Sequence, residues 1–217
     1  MFSYLTAHRS EVLTELWSHV QLAVLPVIIG LIIALPIGWV AARFKWAYPP
    51  LISIAGLIYT IPSLVLFVAM PGILGTRILD VLNVIIALSA YAIALLVRVV
   101  ADGLASVPFE AKQAATAMGF KPLGRFLMVE LPLAVPVIAA GVRVATVSNV
   151  SLVTVATLIG TSQLGTLFSD GFSAGSDQSS PIILGILLCI VLALVLDFVI
   201  QLITKTLTPW KRAVTTS

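Results

Sequence analysis

Charge is scarce in this 217-residue chain: 10% of its residues are Asp, Glu, Lys or Arg, against roughly 25% in an ordinary soluble domain. Some 60% are hydrophobic and the mean hydropathy is +1.15, so water is not its main solvent. The single cysteine, Cys189, lies in the last apolar run, which excludes an intrachain disulfide and a set of thiolate metal ligands. The two histidines, His8 and His19, precede the first long apolar run and stand in no His/Glu metal spacing; they read as interfacial polar residues, and no metal is assigned. No Gly-x-x-x-x-Gly-Lys-Ser/Thr phosphate loop occurs, so ATP and its Mg²⁺ must be handled by another chain and no cofactor is assigned to this one. No nucleophile, base or paired acids gather inside the apolar runs, which argues against an intramembrane enzyme. An ion-coupled carrier working alone would call for repeated halves and for intramembrane carboxylates besides Asp197; no repeat is evident.

What remains is a succession of apolar runs, each long enough as a helix to cross a hydrocarbon core of about 30 Å. They predict an all-α, polytopic bundle of about five spans, near Val20–Ala42, Leu51–Leu74, Ile78–Val100, Leu133–Thr154 and Ile182–Ile203. The stretch before the first run mixes Leu5, Val12, Leu13, Leu16 and Trp17 with Arg9, Glu11 and Glu15 and suits a helix lying in the interface. It lacks the basic region and cleavage site of a signal peptide, so the first span is expected to stay in the mature protein. The chain thus divides into an external interfacial segment (1–19), a transmembrane domain (20–205) with a long loop at 107–132, and a cytoplasmic tail (206–217).

Basic residues set the orientation. Arg43, Lys45, Arg98, Lys112, Lys121, Arg125, Lys205, Lys211 and Arg212 fall to one side, and only Arg9 and Arg77 to the other. The positive-inside rule puts the C-terminus in the cytoplasm and the N-terminus outside. Scattered among short loops, these charges fit membrane topology and not nucleic acid. Prolines 26, 36, 62, 132 and 136 interrupt the spans, either because the helices pack and move or because proline is simply commoner in membrane helices.

The loop at 107–132 is patterned. Pro108 suits a first helical turn, Glu110 the positive helix start, Ala111, Ala114, Ala115 and Ala117 its body, and Gly119 its end, predicting a helix from about Phe109 to Met118. Small side chains leave its backbone open, and Phe109, Met118 and Phe120 could anchor in a groove of another protein; a short amphipathic helix resting on the bilayer fits the same residues.

The run Gln113-Ala114-Ala115, three residues, Gly119, nine residues, Val129, one residue, Leu131-Pro132 resembles the EAA loop of binding-protein-dependent ABC importer permeases, with glutamine in place of the usual glutamate. The resemblance implies a type I importer permease (MetI-like) fold in a bacterial inner membrane. It also implies that Glu110, Ala111, Gln113, Ala114, Ala115, Met118, Gly119 and Phe120 form the coupling segment that enters a cleft in a nucleotide-binding ATPase subunit. Further implied partners are a soluble substrate-binding protein and a second permease copy or paralogue. Similarity is closest to permeases for glycine betaine, carnitine and choline. It is carried by Tyr4-Leu5 to His19-Val20, by Tyr59-Thr60-Ile61-Pro62-Ser63-Leu64, by Glu130 to Pro136 with Gly141 to Val147, and by Leu207-Thr208-Pro209-Trp210. Methionine permeases share the plan but not the first and last of these stretches; ergothioneine is a chemically related alternative cargo. Where the family often has a glycine-rich run after the fourth span, this chain reads Gly160-Thr161-Ser162-Gln163-Leu164-Gly165, which predicts a less flexible outer loop.

Tyr59, Pro62, Ser63 and Arg143 are the candidates for the translocation path or its gate. Arg143 lies about 16 Å along its helix from Pro132, and Asp197 sits at a similar depth before Lys205. A charge there is costly unless paired or wetted, so either an Arg143–Asp197 ion pair or a water-filled vestibule is expected. A quaternary ammonium cargo would call for an aromatic cage, and Tyr48, Tyr59, Phe67 and Tyr91 are spread along the spans.

Overall fold

The computed structural model describes residues 2–173 and 180–210; Asp177, Lys211 and Arg212 lie outside them. Among the described residues every regular element is helical: α1 (Phe2–Ala7), α2 (Arg9–Arg43), α3 (Tyr48–Thr60), α4 (Ser63–Leu74), α5 (Val81–Ala105), α6 (Phe109–Ala117), α7 (Pro122–Arg125), a π-helical turn (Phe126–Glu130), α8 (Leu131–Val155), a 3₁₀ turn (Ala156–Ile159), α9 (Thr166–Ser173) and α10 (Ser180–Leu207).

Four stretches, Arg9–Arg43, Val81–Ala105, Pro122–Ile159 and Ser180–Leu207, are long and apolar enough to cross a membrane. The fifth expected span is broken. Leu51–Leu74 is two helices, α3 and α4, bent by 102° at Ile61 and Pro62, because Pro62 carries no N–H for the ladder and holds the residue before it extended (Ile61 ψ 130). The prolines of α2 and Pro136 of α8, by contrast, sit inside continuous helices.

The expected boundary near His19 is not a boundary in the backbone: α2 runs through it for 35 residues, about 52 Å, well beyond the hydrocarbon thickness. Its first ten residues therefore stand clear of the apolar layer. His19 is not an interfacial residue either. It is fully buried between the Gln163 side-chain oxygen and the Val150 carbonyl, each 3.0 Å away. Gln163, also fully buried, spans the turn by donating to Thr157 Oγ1 (2.8 Å) and accepting from Gly165 N–H (2.6 Å).

The bundle is centred on α2 and α5, with α8 crossing both and α10 on its far side. The α2–α5 seam is close because Gly30, Ala34 and Gly38 recur every four residues; a Cβ on Gly30 would lie 2.5 Å from that of Ala92, and one on Gly38 2.6 Å from Val100. In lipid, where apolar side chains gain nothing by leaving the solvent, such backbone approach is what associates helices. Asp80 caps α5 by accepting from Leu82 N–H at 2.9 Å.

Candidate coupling site and translocation path

α6 forms where the residues dictate. Pro108 occupies the N-cap with extended φ/ψ, Glu110 lies in the first turn, and Gly119 closes the helix at φ +84°. Phe120 N–H bonds Ala115 C=O (3.1 Å) and Gly119 N–H bonds Thr116 C=O (3.0 Å), which satisfies the last carbonyls of the helix.

The helix is two-sided. Ala115 is 1% exposed and packs inward, whereas Glu110, Gln113, Ala114 and Ala117 face out, flanked by Phe109 and Met118 at 66% and 69% exposure. Ala111 and Phe120 are half-buried at the edges. Three polar ties hold this platform to the bundle. Lys112 donates to Leu104 C=O of α5 (2.8 Å), and Arg125 donates to Thr116 Oγ1 (2.9 Å) and, through Nε, to the buried Glu130 carboxylate (2.6 Å). The π turn at Phe126–Glu130 delivers Glu130 to Arg125 and runs directly into α8.

Toward the membrane, Tyr59, Pro62 and Ser63 come together at the α3–α4 break. Arg143 is elsewhere, on the α8–α10 seam. Its Nε and second terminal nitrogen meet the two Asp197 oxygens at 2.5 and 2.9 Å, and Gln201 adds a bond to Asp197 at 2.7 Å. Tyr59 and Tyr91 are not spread apart but form an edge-on pair, ring centres 5.8 Å apart at 87°. Sequence reasoning missed this pair, whose only sequence signal was the Tyr59–Pro62 stretch, and it missed the Lys112 and Arg125 ties. Neither His19 nor Gln163 carried any local mark of burial.

At the far end of α2, Glu15 is 6% exposed, and its Oε2 has no hydrogen-bond partner among the described residues. Burial pushes this carboxyl up to about 7; Thr166 opposes the shift and the nearby Glu11 and Asp170 charges add to it.

The chain is thus a multi-pass helical bundle with a short, outward-facing helix tied in place between two spans. Residues 34–209 match the family described as binding-protein-dependent transport system inner membrane component, and the chain belongs to that family: it is the permease subunit of an ABC importer and a multi-pass inner-membrane protein. It is 35% identical over 164 residues to the osmoprotectant import permease protein OsmW of Salmonella typhimurium, covering 74% of this chain and 75% of that one. It is 31% identical to the choline transport system permease protein OpuBB of Bacillus subtilis (75% and 73% covered) and 29% identical to the carnitine transport permease protein OpuCD of Listeria monocytogenes (97% and 93%). Its fold matches a chain of the inward-facing MetNI methionine ABC transporter with a TM-score of 0.79 at 19% identity, covering 93% of this chain and 98% of that one. A chain of an amino acid ABC transporter gives 0.73 at 17% identity (95% and 98%).

Proposed function

We propose that the chain forms half of the path by which a small quaternary ammonium solute, of the glycine betaine, carnitine and choline class, enters the cell from a soluble receptor. ATP and Mg²⁺ are bound and spent on a separate ATPase subunit into whose cleft the outer face of α6 seats, and this chain has no enzymatic step of its own. The N-terminus is outside and the C-terminus in the cytoplasm. A second copy or a paralogue covers the apolar face of α3 and α4, on which Ile54, Leu57, Val65 and Val68 stand exposed.

The observation that carries the coupling role is the two-sidedness of α6: one face tied to α5 and α7, the other offering small residues between two exposed apolar anchors. The cargo class is supported by the relatives' named substrates. Reconstitution of the permease with its ATPase and receptor in nanodiscs tests both. ATP hydrolysis stimulated by receptor with glycine betaine, choline or carnitine is the expected result; ATPase that binds but ignores all three loaded receptors overturns the cargo, and failure to bind ATPase overturns the coupling role. For orientation, a cysteine at Lys121 should be shielded from an impermeant thiol reagent in intact cells and one at Glu11 labelled, in a Cys189→Ser background; the inverse pattern overturns it.

A further inference from the structure

The α3–α4 break sits against the middle of α5. Pro62 leaves the Ile61 carbonyl outside the helical ladder, and the Tyr91 hydroxyl of α5 donates to it. Tyr91 is buried and holds Tyr59 edge-on, while Tyr59 remains 46% exposed. On α5, Tyr91, Ala94, Leu95 and Arg98 share one helical face at i, i+3, i+4 and i+7. Across from them stand Ala55, Gly56 and Tyr59, and between the two helices lies a notch of about 260 Å³. Nothing lies within 4 Å of the place a Cβ on Gly56 would take. The Arg98 guanidinium, at the notch's inner end, is little used: its contact with Asp102 is 3.8 Å long and exposed on both sides, and Asp102 already accepts from the Tyr48 hydroxyl at 2.7 Å.

We propose that this notch is a transit site for a small zwitterion bearing a carboxylate and a quaternary ammonium group, the carboxylate on Arg98 and the ammonium against the ring of Tyr59. The inference rests on the cargo class proposed above and on α3–α4 lining the path. A guanidinium fork matches the two oxygens of a carboxylate. A quaternary ammonium group has no N–H to donate, so an aromatic ring and apolar walls are the surfaces that favour it. From the level of Tyr91 to that of Arg98 is seven residues, about 10 Å of rise, so ring and guanidinium approach a molecule of a few carbons from opposite ends. One open ring rather than a cage makes the site weak, and a transit site must release what it takes. A cation without a carboxylate, such as choline, engages only the Tyr59 end.

The test is protection of a cysteine. Gly56→Cys in the Cys189→Ser background, purified with the ATPase in nanodiscs, is labelled with a maleimide. Millimolar glycine betaine should slow labelling at least threefold and choline by less than half as much; Arg98→Gln should abolish the extra protection by betaine, and Tyr59→Leu the protection by both. Co-purification with the ATPase shows that each variant is assembled. In the uptake assay with receptor, which does not need the cysteine, Arg98→Gln should raise KM for glycine betaine about tenfold and change that for choline less than twofold. Equal protection by choline and betaine, protection by neither, or betaine protection and KM that survive Arg98→Gln overturn the notch. Absence of uptake of betaine, choline and carnitine by the unaltered transporter instead overturns the cargo reading on which it rests.

Discussion

Adjacent alanines on α6 should fail in different ways when enlarged. Ala114 faces outward and Ala115 is 1% exposed against the bundle, so Ala114→Leu and Ala115→Leu add the same three carbons on an open and a packed face of one helix. In the permease alone, Ala114→Leu meets no neighbour and should leave thermal stability within about 0.5 kcal/mol of the parent. Ala115→Leu overfills a closed contact, which costs about 1–3 kcal/mol, or a five- to 150-fold loss of the docked position of α6. Once the ATPase is present the order changes, because a leucine at 114 holds the two surfaces apart. The assay pairs melting of the detergent-solubilised permease with ATP-driven uptake by the full complex. The expected pattern is normal melting with lost coupling for Ala114→Leu, and lowered melting with lost coupling for Ala115→Leu. Parental uptake by Ala114→Leu, with ATPase bound and stimulated, would mean the outer face of α6 is a bystander and would refute the assignment.

Gly119 holds a left-handed backbone, so Gly119→Ala should cost roughly 1–2 kcal/mol at the end of α6 and Gly119→Asn less, read as uptake ranked Gly, Asn, Ala; equal loss in both would point away from backbone strain. Arg143→Ala leaves Asp197 without its cation, so the yield of assembled complex should fall while the ratio of betaine to choline uptake holds; Arg143→Met with Asp197→Leu should be milder than either single change, and a stable complex with altered preference would sink the structural role. The carboxyl of Glu15 is neutral-favouring in the fold, with a value near 7 against an ordinary 4.5. Its contribution to stability is therefore full below about pH 4.5 and lost as pH rises through 7. Glu15→Gln should flatten the decline in melting temperature over that window, even with Glu11, Asp170 and Tyr4 facing the site, and an unchanged slope would show that Glu15 is not the titrating group.

Much of this was legible because the bilayer imposes simple rules. Apolar run length located the crossings, and the Pro108, Glu110 and Gly119 signals located α6 within a residue. Counting from Pro132 and from Lys205 put Arg143 and Asp197 at one depth, where they lie in contact. What could not be read was set by distant residues. His19 looks interfacial beside Glu15 and Ser18, yet Gln163, 144 residues away, buries it. Five prolines looked alike, and only Pro62 parts its span into two sharply bent helices, where the Tyr91 hydroxyl donates to the freed Ile61 carbonyl. The Tyr59–Tyr91 pair sits beside that break.

The two ends of the molecule are joined through α5 and α8. Lys112 ties α6 to the Leu104 carbonyl, and Arg98 stands six residues earlier on the same helix, about 9 Å away. Arg125 ties Thr116 to Glu130, from which α8 carries the chain to Arg143 and across to Asp197 on α10. If α6 seats in the ATPase as proposed, its displacement is passed to α5 through the Lys112 tie and to α8 through Arg125 and Glu130, toward the Arg98 notch and the α8–α10 seam. The α3–α4 pair meets α5 along its length, through Tyr48 on Asp102, the Tyr91 hydroxyl on the Ile61 carbonyl at the break, and buried Phe67 and Met70 of α4 in the core beside Val84, Ala87 and Leu88. With the notch as the proposed transit site, motion of α5 against α3 would change the space between Arg98 and Tyr59, which links the helix tied to α6 with the helix that faces the solute.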